Sequence, residues 1–454
     1  MRFVGIFLVL ASLPAFLWLL RSRQAQRWII LALGALPILQ EPLNLNAALV
    51  SWAAWPGHTK GLILTPLDGL ALAICVHFRR GKKAPVLLWP FTMYLICLVP
   101  GLFAGSLFQP AFFFFFQTLR VALLFLACYL VVLDGHLPNL ARGIGAAIIL
   151  NALVAVSQAL GGASQAPGLL GHQNLTGMAT NLCLPLLLAL GLRRRGGLFL
   201  IAAGAAGISA LAGGSRATIV LYAVAVAITV TGSSLCMPSA RKNAVAGIAL
   251  LALLAGAPVA MHKLDERADL FTPDLERVAF ERAAHMMISD HPWGVGINQY
   301  VVVANSEGYM TRAGVRWGAG ARSTNVHNFY LLARTEGGLA ELFGVLVWLI
   351  CPMVVALILA VRKRTPARDI SVAIAAALIV TALHNRVEWI FVTAVPQYLT
   401  ASMIGILAAI QMAGRAATGK TRTTAAHANE VGSVVFAESP LADRDCRPNP
   451  QRVS

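Results

Sequence analysis

Charged residues are scarce in this 454-residue chain. Only 12% of its residues are charged, whereas 58% are apolar, and the mean hydropathy is +0.72. No soluble fold buries so much apolar surface. The composition therefore excludes a soluble globular protein and predicts an all-α polytopic integral membrane protein.

Acidic residues are the rarer of the two charge types. The chain has 19 Asp and Glu residues against 36 Lys and Arg residues, which gives a net charge of +17. Few aromatic residues lie among the basic ones, so the charge argues against nucleic-acid binding. Short basic loops between apolar runs are typical of the cytoplasmic side of a membrane protein. These loops are RSRQAQR (21–27), RRGKK (79–83), RRR (193–195), ARK (240–242) and RKRTPARD (362–369).

Cysteine is absent from the one long polar segment, 262–338, and five of the seven cysteines fall in apolar runs. The sequence therefore predicts neither a disulfide framework nor a cysteine metal site. No acidic cluster suggests a metal either, and no cofactor is predicted. The apolar first twenty residues are not followed by a small-residue cleavage site, which favours a retained helix over a signal peptide.

Thirteen apolar runs predict about 12 to 13 transmembrane helices. The runs lie near 3–20, 28–40, 60–77, 85–104, 111–133, 143–160, 174–192, 197–213, 217–235, 243–261, 339–361, 370–386 and 389–412. We divide the chain into N-terminal transmembrane helices (1–261), a long periplasmic loop (262–338), C-terminal transmembrane helices (339–414) and a disordered cytoplasmic tail (415–454).

The long loop is predicted to contain an amphipathic helix. Thr272, Pro273 and Asp274 form a favourable helix start, and Pro292 ends the helix. Arg277, Glu281 and Arg282 are expected on its polar side. The predicted apolar positions are Leu275, Val278, Ala279, Ala283, Met286 and Met287.

The segment NVHNFYLLARTEGGLAELFG (325–344) is predicted to begin a helix near His327 and to continue into the membrane. A continuous helix would align His327, Leu331, Arg334, Gly338 and Glu341 on one face. A histidine at this position can exchange a proton near neutral pH. The alternative is that His327 and Asn328 only cap the first turn.

Other polar groups are expected on the same outer side. GLLGHQN (168–174) contributes His172 and Asn174 at a helix start, GGSRAT (213–218) contributes Arg216, and the loop helix contributes Arg277. The structural alternatives are a polar turn, an interfacial arginine and a solvated surface arginine. HNRVE (384–388) is expected to be a solvated turn.

Arg120 lies inside an apolar run. An ionised group in such a place is either functional or half of a buried pair, and Asp68 is the candidate partner. Taken together, the arginines and the histidine of the outer side predict an anionic ligand, because guanidinium groups match phosphate oxygens. We expect a diphosphate headgroup.

These residues also carry a family resemblance. HNFYLLARTEGG (327–338) resembles the signature of the O-antigen ligase and polymerase superfamily, in which His327, Asn328, Leu331, Glu336 and Gly338 fit. Glu341 departs from the glycine often found there. GLLGHQN, Ser215-Arg216 and RVAFERAAHMMISDHPWGVG (277–296) are also similar to the family, and the resemblance extends over about 168–407.

The resemblance implies transfer or polymerisation of glycan from an undecaprenyl-diphosphate carrier onto an acceptor hydroxyl, by metal-independent inverting displacement. The acceptor would be a glycan, lipid A core or a protein hydroxyl, at the periplasmic face of the bacterial inner membrane, with polysaccharide-assembly proteins as possible partners. His327 would be the base, and Arg216 and Arg277 would bind the diphosphate. The further predicted substrate-binding residues are Arg120, His172, Asn174, Arg282, Asn328 and Glu336. A lipid-linked glycan flippase and a non-catalytic assembly subunit are the alternatives.

Overall fold

The computed structural model describes residues 2–79, 81–193, 196–265, 272–363, 365 and 367–420. It is an all-α polytopic membrane protein, as predicted. The N-terminal helices are α1 (Arg2–Leu19), α2 (Arg23–Leu39), α3 (Pro66–Phe78), α4 (Leu88–Ala104), α5 (Phe108–Leu133), α6 (Leu137–Leu160), α7 (Gln173–Gly191), α8 (Gly197–Gly213), α9 (Arg216–Cys236) and α10 (Ala240–Asp265). The remaining helices are α11 (Thr272–Asp290), α12 (Tyr300–Ser306), α13 (Tyr309–Arg312), α14 (Ala319–Arg322), α15 (Phe329–Glu336), α16 (Gly338–Val361), α17 (Arg368–His384) and α18 (Ala394–Lys420).

Within the described residues, six helices are long and apolar enough to cross a membrane. They are α5, α6, α7, α9, α16 and the Ala394–Ala416 part of α18. Four shorter apolar helices are Val9–Leu19, α3, α4 and α8. The predicted count of about 12 to 13 spans is therefore higher than the number of helices that meet this length and composition.

The apolar run predicted at 60–77 is not one helix. Gly61–Leu64 forms strand β2, which pairs antiparallel with strand β1 (Ala47–Ser51), and α3 begins only at Pro66. The carboxylate of Asp68 accepts hydrogen bonds from the backbone N–H (2.7 Å) and the hydroxyl (3.1 Å) of Thr65. This capping, with proline in the first turn, is why the helix starts there.

The predicted loop helix is present as α11, but its buried face differs from the prediction. Ala279, Phe280, Ala283, Ala284 and Met287 are buried, whereas Leu275 and Val278 are more than half exposed. The buried residues lie on the side of α11 that packs into the core, and α11 contacts α13 and α15. Arg277 and Arg282 lie on the accessible side, as expected.

The helix predicted from His327 through Gly344 is broken, so the predicted alignment of five residues on one face is wrong. α15 ends at Glu336, and α16 starts at Gly338, which has a positive φ of 69°. A Cβ on Gly338 would lie 2.6 Å from the carbonyl oxygen of Trp293. The close approach of 293–296 therefore requires glycine here and interrupts the helix.

The ends of the helices opposite this break form a face rich in basic residues, which we call the basic face: Arg79, Lys82, Arg193, Lys242, Arg362 and Arg368. Arg193 binds Asp369 through two hydrogen bonds of 3.2 and 2.9 Å, and Lys82 pairs with Asp134 at 2.7 Å. α18 continues to Lys420, past the predicted start of the tail at Arg415. The rest of that predicted tail, 421–454, lies outside the described residues.

Candidate functional site

A cleft of about 440 Å³ opens at the end of the bundle where α7 and α9 begin. Five of the predicted site residues line it: His172, Asn174, Arg216, Arg277 and His327. They come from four separate parts of the chain. The sequence predicted only that these residues share the outer side of the membrane, and the fold brings them together in one cleft. The other lining residues are Gln165, Gln173, Ser215, Ala217, Glu276, Phe280, Thr324, Glu388 and Trp389.

Two helix N-termini meet at this cleft. α7 begins at Gln173 after His172, and α9 begins at Arg216 after Ser215. Neither His172 nor Ser215 caps its helix with a side-chain hydrogen bond. The first backbone N–H groups of both helices therefore remain available, and the positive ends of both helix dipoles favour an anion.

Glu388 is a carboxylate that the sequence reasoning missed. Its Oε1 accepts a hydrogen bond of 2.6 Å from Nδ2 of Asn174 and pairs with Nη2 of Arg277 at 3.2 Å. The side chain of Glu388 is 4% exposed, whereas that of Arg277 is 44% exposed. Burial raises the pKa of Glu388 to about 7, although the nearby positive charge of Arg277 lowers it.

The turn that carries Glu388 was expected to be solvated, and this expectation is wrong. His384, Asn385 and Glu388 are at most 3% exposed. The backbone N–H of Phe329, the first residue of α15, donates to the carbonyl oxygens of Asn385 (2.8 Å) and Glu388 (3.2 Å). The turn is buried because it completes the start of α15, and it holds Glu388 at the cleft that His327 also lines. The sequence feature that could have pointed to Glu388 is a single acidic residue next to Trp389, between two apolar runs.

His327 lies against Phe280 of α11, with ring centroids 5.9 Å apart. Burial, together with the positive charges of Arg277 and His172, lowers the pKa of His327 to about 4. Burial also lowers the pKa of His172. At neutral pH His327 is therefore a neutral imidazole, which is the form that accepts a proton. Its Nδ1 is enclosed and has no hydrogen-bond partner among the described residues.

Four predicted substrate-binding residues lie elsewhere. Arg120 forms the buried pair that was the alternative, with Nη2 2.6 Å and Nε 2.9 Å from the carboxylate of Asp68. Arg282 donates to the carbonyl oxygen of Ala313 at 3.3 Å. Asn328 caps α15 by accepting a hydrogen bond from the backbone N–H of Leu331 at 3.2 Å. Capping was the alternative reading of this residue.

Glu336 is the fourth of these predicted substrate-binding residues, and its hydrogen bonds hold the backbone behind the cleft. Its carboxylate accepts from the backbone N–H groups of Asn298 (2.8 Å) and Tyr300 (2.9 Å) and contacts Nε2 of His58 at 3.2 Å. Asn298 has a positive φ of 62° and also holds the loop that follows β1. Glu336 thus joins the β-hairpin loop, the 293–300 turn and α15.

The chain matches no protein-family model, and no curated protein matches it. The resemblance to the O-antigen ligase and polymerase superfamily therefore rests on the motifs quoted above. Across the described ranges, no group of three or more His, Cys, Asp and Glu side chains could hold a metal ion.

Proposed function

We propose that this protein is a membrane glycosyltransferase of the O-antigen ligase or polymerase type. It would transfer glycan from an undecaprenyl-diphosphate carrier to an acceptor hydroxyl at the cleft. The observation that carries the proposal is the meeting of two arginines, two uncapped helix N-termini and one neutral imidazole in a single cleft. Cations and N–H groups suit a diphosphate, and the imidazole suits an attacking hydroxyl.

The donor would bind with its diphosphate between Arg216 and Arg277. In a single displacement the acceptor oxygen forms a bond to the anomeric carbon, while the bond from that carbon to the diphosphate oxygen breaks. The leaving diphosphate keeps the electron pair, and the anomeric configuration inverts. Positioned cations stabilise the charge that develops on the leaving oxygen more strongly in the transition state than in the bound donor.

His327 would take the proton of the acceptor hydroxyl. In the free protein its pKa is about 4 because burial and the positive charges of Arg277 and His172 disfavour the imidazolium. A bound diphosphate would place negative charge beside the same ring and would raise that pKa toward neutrality. Donor binding would thus make His327 a better base at the moment when the acceptor attacks.

A lipid-linked glycan flippase is the alternative function. It predicts ionisable residues along a path through the bundle. Asp68 and Arg120 were the candidates, but each is satisfied by the other in a buried, bidentate pair. The polar groups of the cleft lie at helix ends instead, which favours chemistry at one surface.

The test is glycan assembly in cells that carry His327→Ala, with membrane abundance measured alongside. We expect loss of transferred or long-chain glycan and accumulation of undecaprenyl-diphosphate glycan on the outer face of the membrane. His285→Ala is the matched control, because His285 is an exposed histidine of α11 that does not line the cleft. Normal product from His327→Ala would contradict the assignment of the base, and accumulation on the inner face would favour the flippase.

A further inference from the structure

A second cleft, of about 420 Å³, lies at the basic face between the ends of α16 and α18. We call it the basic-face cleft. Val355, Ile358 and Leu359 of α16 form an apolar wall, and Arg362, Lys363 and Arg415 stand at its rim. Its volume lies in the range of about 300–1,000 Å³ that is usual for small-molecule sites. Nothing in the proposed glycan transfer uses this cleft.

Short hydrogen-bonded turns at the end of α16 fix the backbone of the rim residues. The N–H of Arg362 donates to the carbonyl oxygen of Ile358, and the N–H of Thr365 donates to that of Arg362. Nε of Arg368 donates to the carbonyl oxygen of Ala360 at 2.8 Å, and its Nη1 donates to that of Cys236 at 3.0 Å. These bonds fix the end of α16 against α9. The two cations that follow Val361 are therefore attached to a rigid helix end.

The rim cations differ from the other basic residues of this face. Arg193 and Lys82 have carboxylate partners, Asp369 and Asp134. Arg362 and Lys363 form no side-chain ion pair or hydrogen bond with any residue that the structure describes. Both are exposed next to an apolar wall. The positive charge of Arg362 and Lys363 is thus available to an anion from outside the chain.

We propose that the basic-face cleft binds one anionic phospholipid. Its headgroup phosphate lies against Arg362 and Lys363, and the first part of an acyl chain lies along Val355, Ile358 and Leu359. Anionic headgroups are attracted to basic pockets between transmembrane helices, and guanidinium groups match phosphate oxygens. The side chain of Gln411 on α18 also lines the cleft.

The apolar wall is what selects a lipid over a free phosphate ion. A phosphate ion would contact the rim cations alone, whereas a phospholipid would also cover the apolar wall of α16, and covering that surface is favourable. Ile358 is 49% exposed and Val361 is 72% exposed, so the wall continues onto a helix surface of the kind that acyl chains cover. A molecule that is anionic at one end and apolar at the other satisfies both parts.

The experiment is native mass spectrometry of the full chain released from detergent, after incubation with equal amounts of phosphatidylglycerol and phosphatidylcholine of the same chain length. We expect wild type to retain phosphatidylglycerol, and Arg362→Gln/Lys363→Gln to bind it at least about tenfold more weakly. Arg79→Gln/Lys83→Gln is the matched control, because it removes two exposed cations from the same face outside the cleft. It should behave as wild type.

A second variant tests the wall and not the charge. Ile358→Trp fills the acyl site from an exposed lining position while it keeps Arg362 and Lys363, and it should also lose the lipid. Equal retention of the two lipids by wild type, or equal losses in the two double variants, would overturn the proposal. Displacement of the lipid by millimolar inorganic phosphate would overturn the choice of a lipid and indicate a simple anion site.

Discussion

Glu388→Gln should change how binding to the cleft depends on pH. The carboxylate shares one oxygen with Asn174 and Arg277, and a glutamine carbonyl can accept both hydrogen bonds in the same place. The substitution therefore removes charge and preserves shape. In wild type, ionised Glu388 would compete with the proposed diphosphate ligand for Arg277 and would repel it. We expect diphosphate binding to wild type to weaken as pH rises through 7, and this weakening to be absent in the variant.

The magnitude follows from the geometry of the pair. With a pKa of about 7, the carboxylate passes from about one-tenth ionised at pH 6 to about nine-tenths ionised at pH 8. The side chain of Arg277 is 44% exposed, so solvent screens the pair. Such a pair contributes about 1 kcal/mol. We therefore expect the Kd of wild type to rise about fivefold more than that of Glu388→Gln between these pH values.

The assay is isothermal titration calorimetry of the full chain in detergent, with farnesyl diphosphate as the probe, at pH 6, 7 and 8. The probe itself titrates, but this contributes equally to both proteins and cancels in the comparison. Two buffers of different ionisation enthalpy would report the protons taken up on binding. Wild type should take up more than Glu388→Gln at pH 7, because displacement from Arg277 raises the pKa of Glu388 further.

Glu276→Gln is the matched control for this prediction. Glu276 lines the same cleft and forms no ion pair within the described residues. It should keep the pH slope of wild type. If Glu388→Gln keeps that slope too, or if wild type binds more tightly at pH 8 than at pH 6, the reasoning about a carboxylate that competes for Arg277 is refuted.

Three further outcomes are expected. Asp68→Asn should lower the free energy of unfolding by about 3–5 kcal/mol, because it leaves Arg120 buried without its partner. The double variant Asp68→Leu/Arg120→Met should recover membrane abundance. Glycan assembly by a stable double variant then tells whether Arg120 also binds substrate. Glu336→Gln should lower the Tm in detergent by weakening charged hydrogen bonds worth about 2 kcal/mol in all, and Glu281→Gln, on the exposed side of α11, should not. The pKa of His327 is lower in the folded protein than in the unfolded chain, so the free energy of unfolding is highest above about pH 6.5 and decreases as pH falls toward 4. The Tm of wild type should therefore drop more than that of His327→Gln over this range.

Hydropathy located several helices closely because an apolar run is a local property of the sequence. The helices α7, α8, α9 and α16 begin and end within one or two residues of the predicted runs. Local pattern failed where a distant segment decides the backbone. The break at Gly338 depends on the approach of Trp293, and strand β2 depends on pairing with Ala47–Ser51. Neither partner can be read from the broken segment itself.

In the candidate site, too, some residues could be predicted from local sequence and others depend on distant segments. His172, Arg216, Arg277 and His327 could be predicted from polar motifs at helix starts, because such motifs stand out against apolar runs. Asn328 and Glu336 lie in the same motif as His327, yet they shape the backbone behind the cleft. Glu388 was not predicted because its contacts are with residues that are distant in the sequence. Closeness in the sequence also could not distinguish His327, which lines the cleft, from Asn328 and Glu336, which do not.

Glu388 also offsets part of the positive charge of the arginine-rich cleft. Arg216, Arg277 and two helix N-termini concentrate positive charge in one place, and such charges repel one another when a site is empty. A buried carboxylate on Arg277 offsets part of this repulsion, and Asn174 keeps the carboxylate in position. Because its pKa is about 7, Glu388 can give up that role by taking up a proton when another anion arrives. The carboxylate that balances the charge of Arg277 is thus the group that a diphosphate would have to replace.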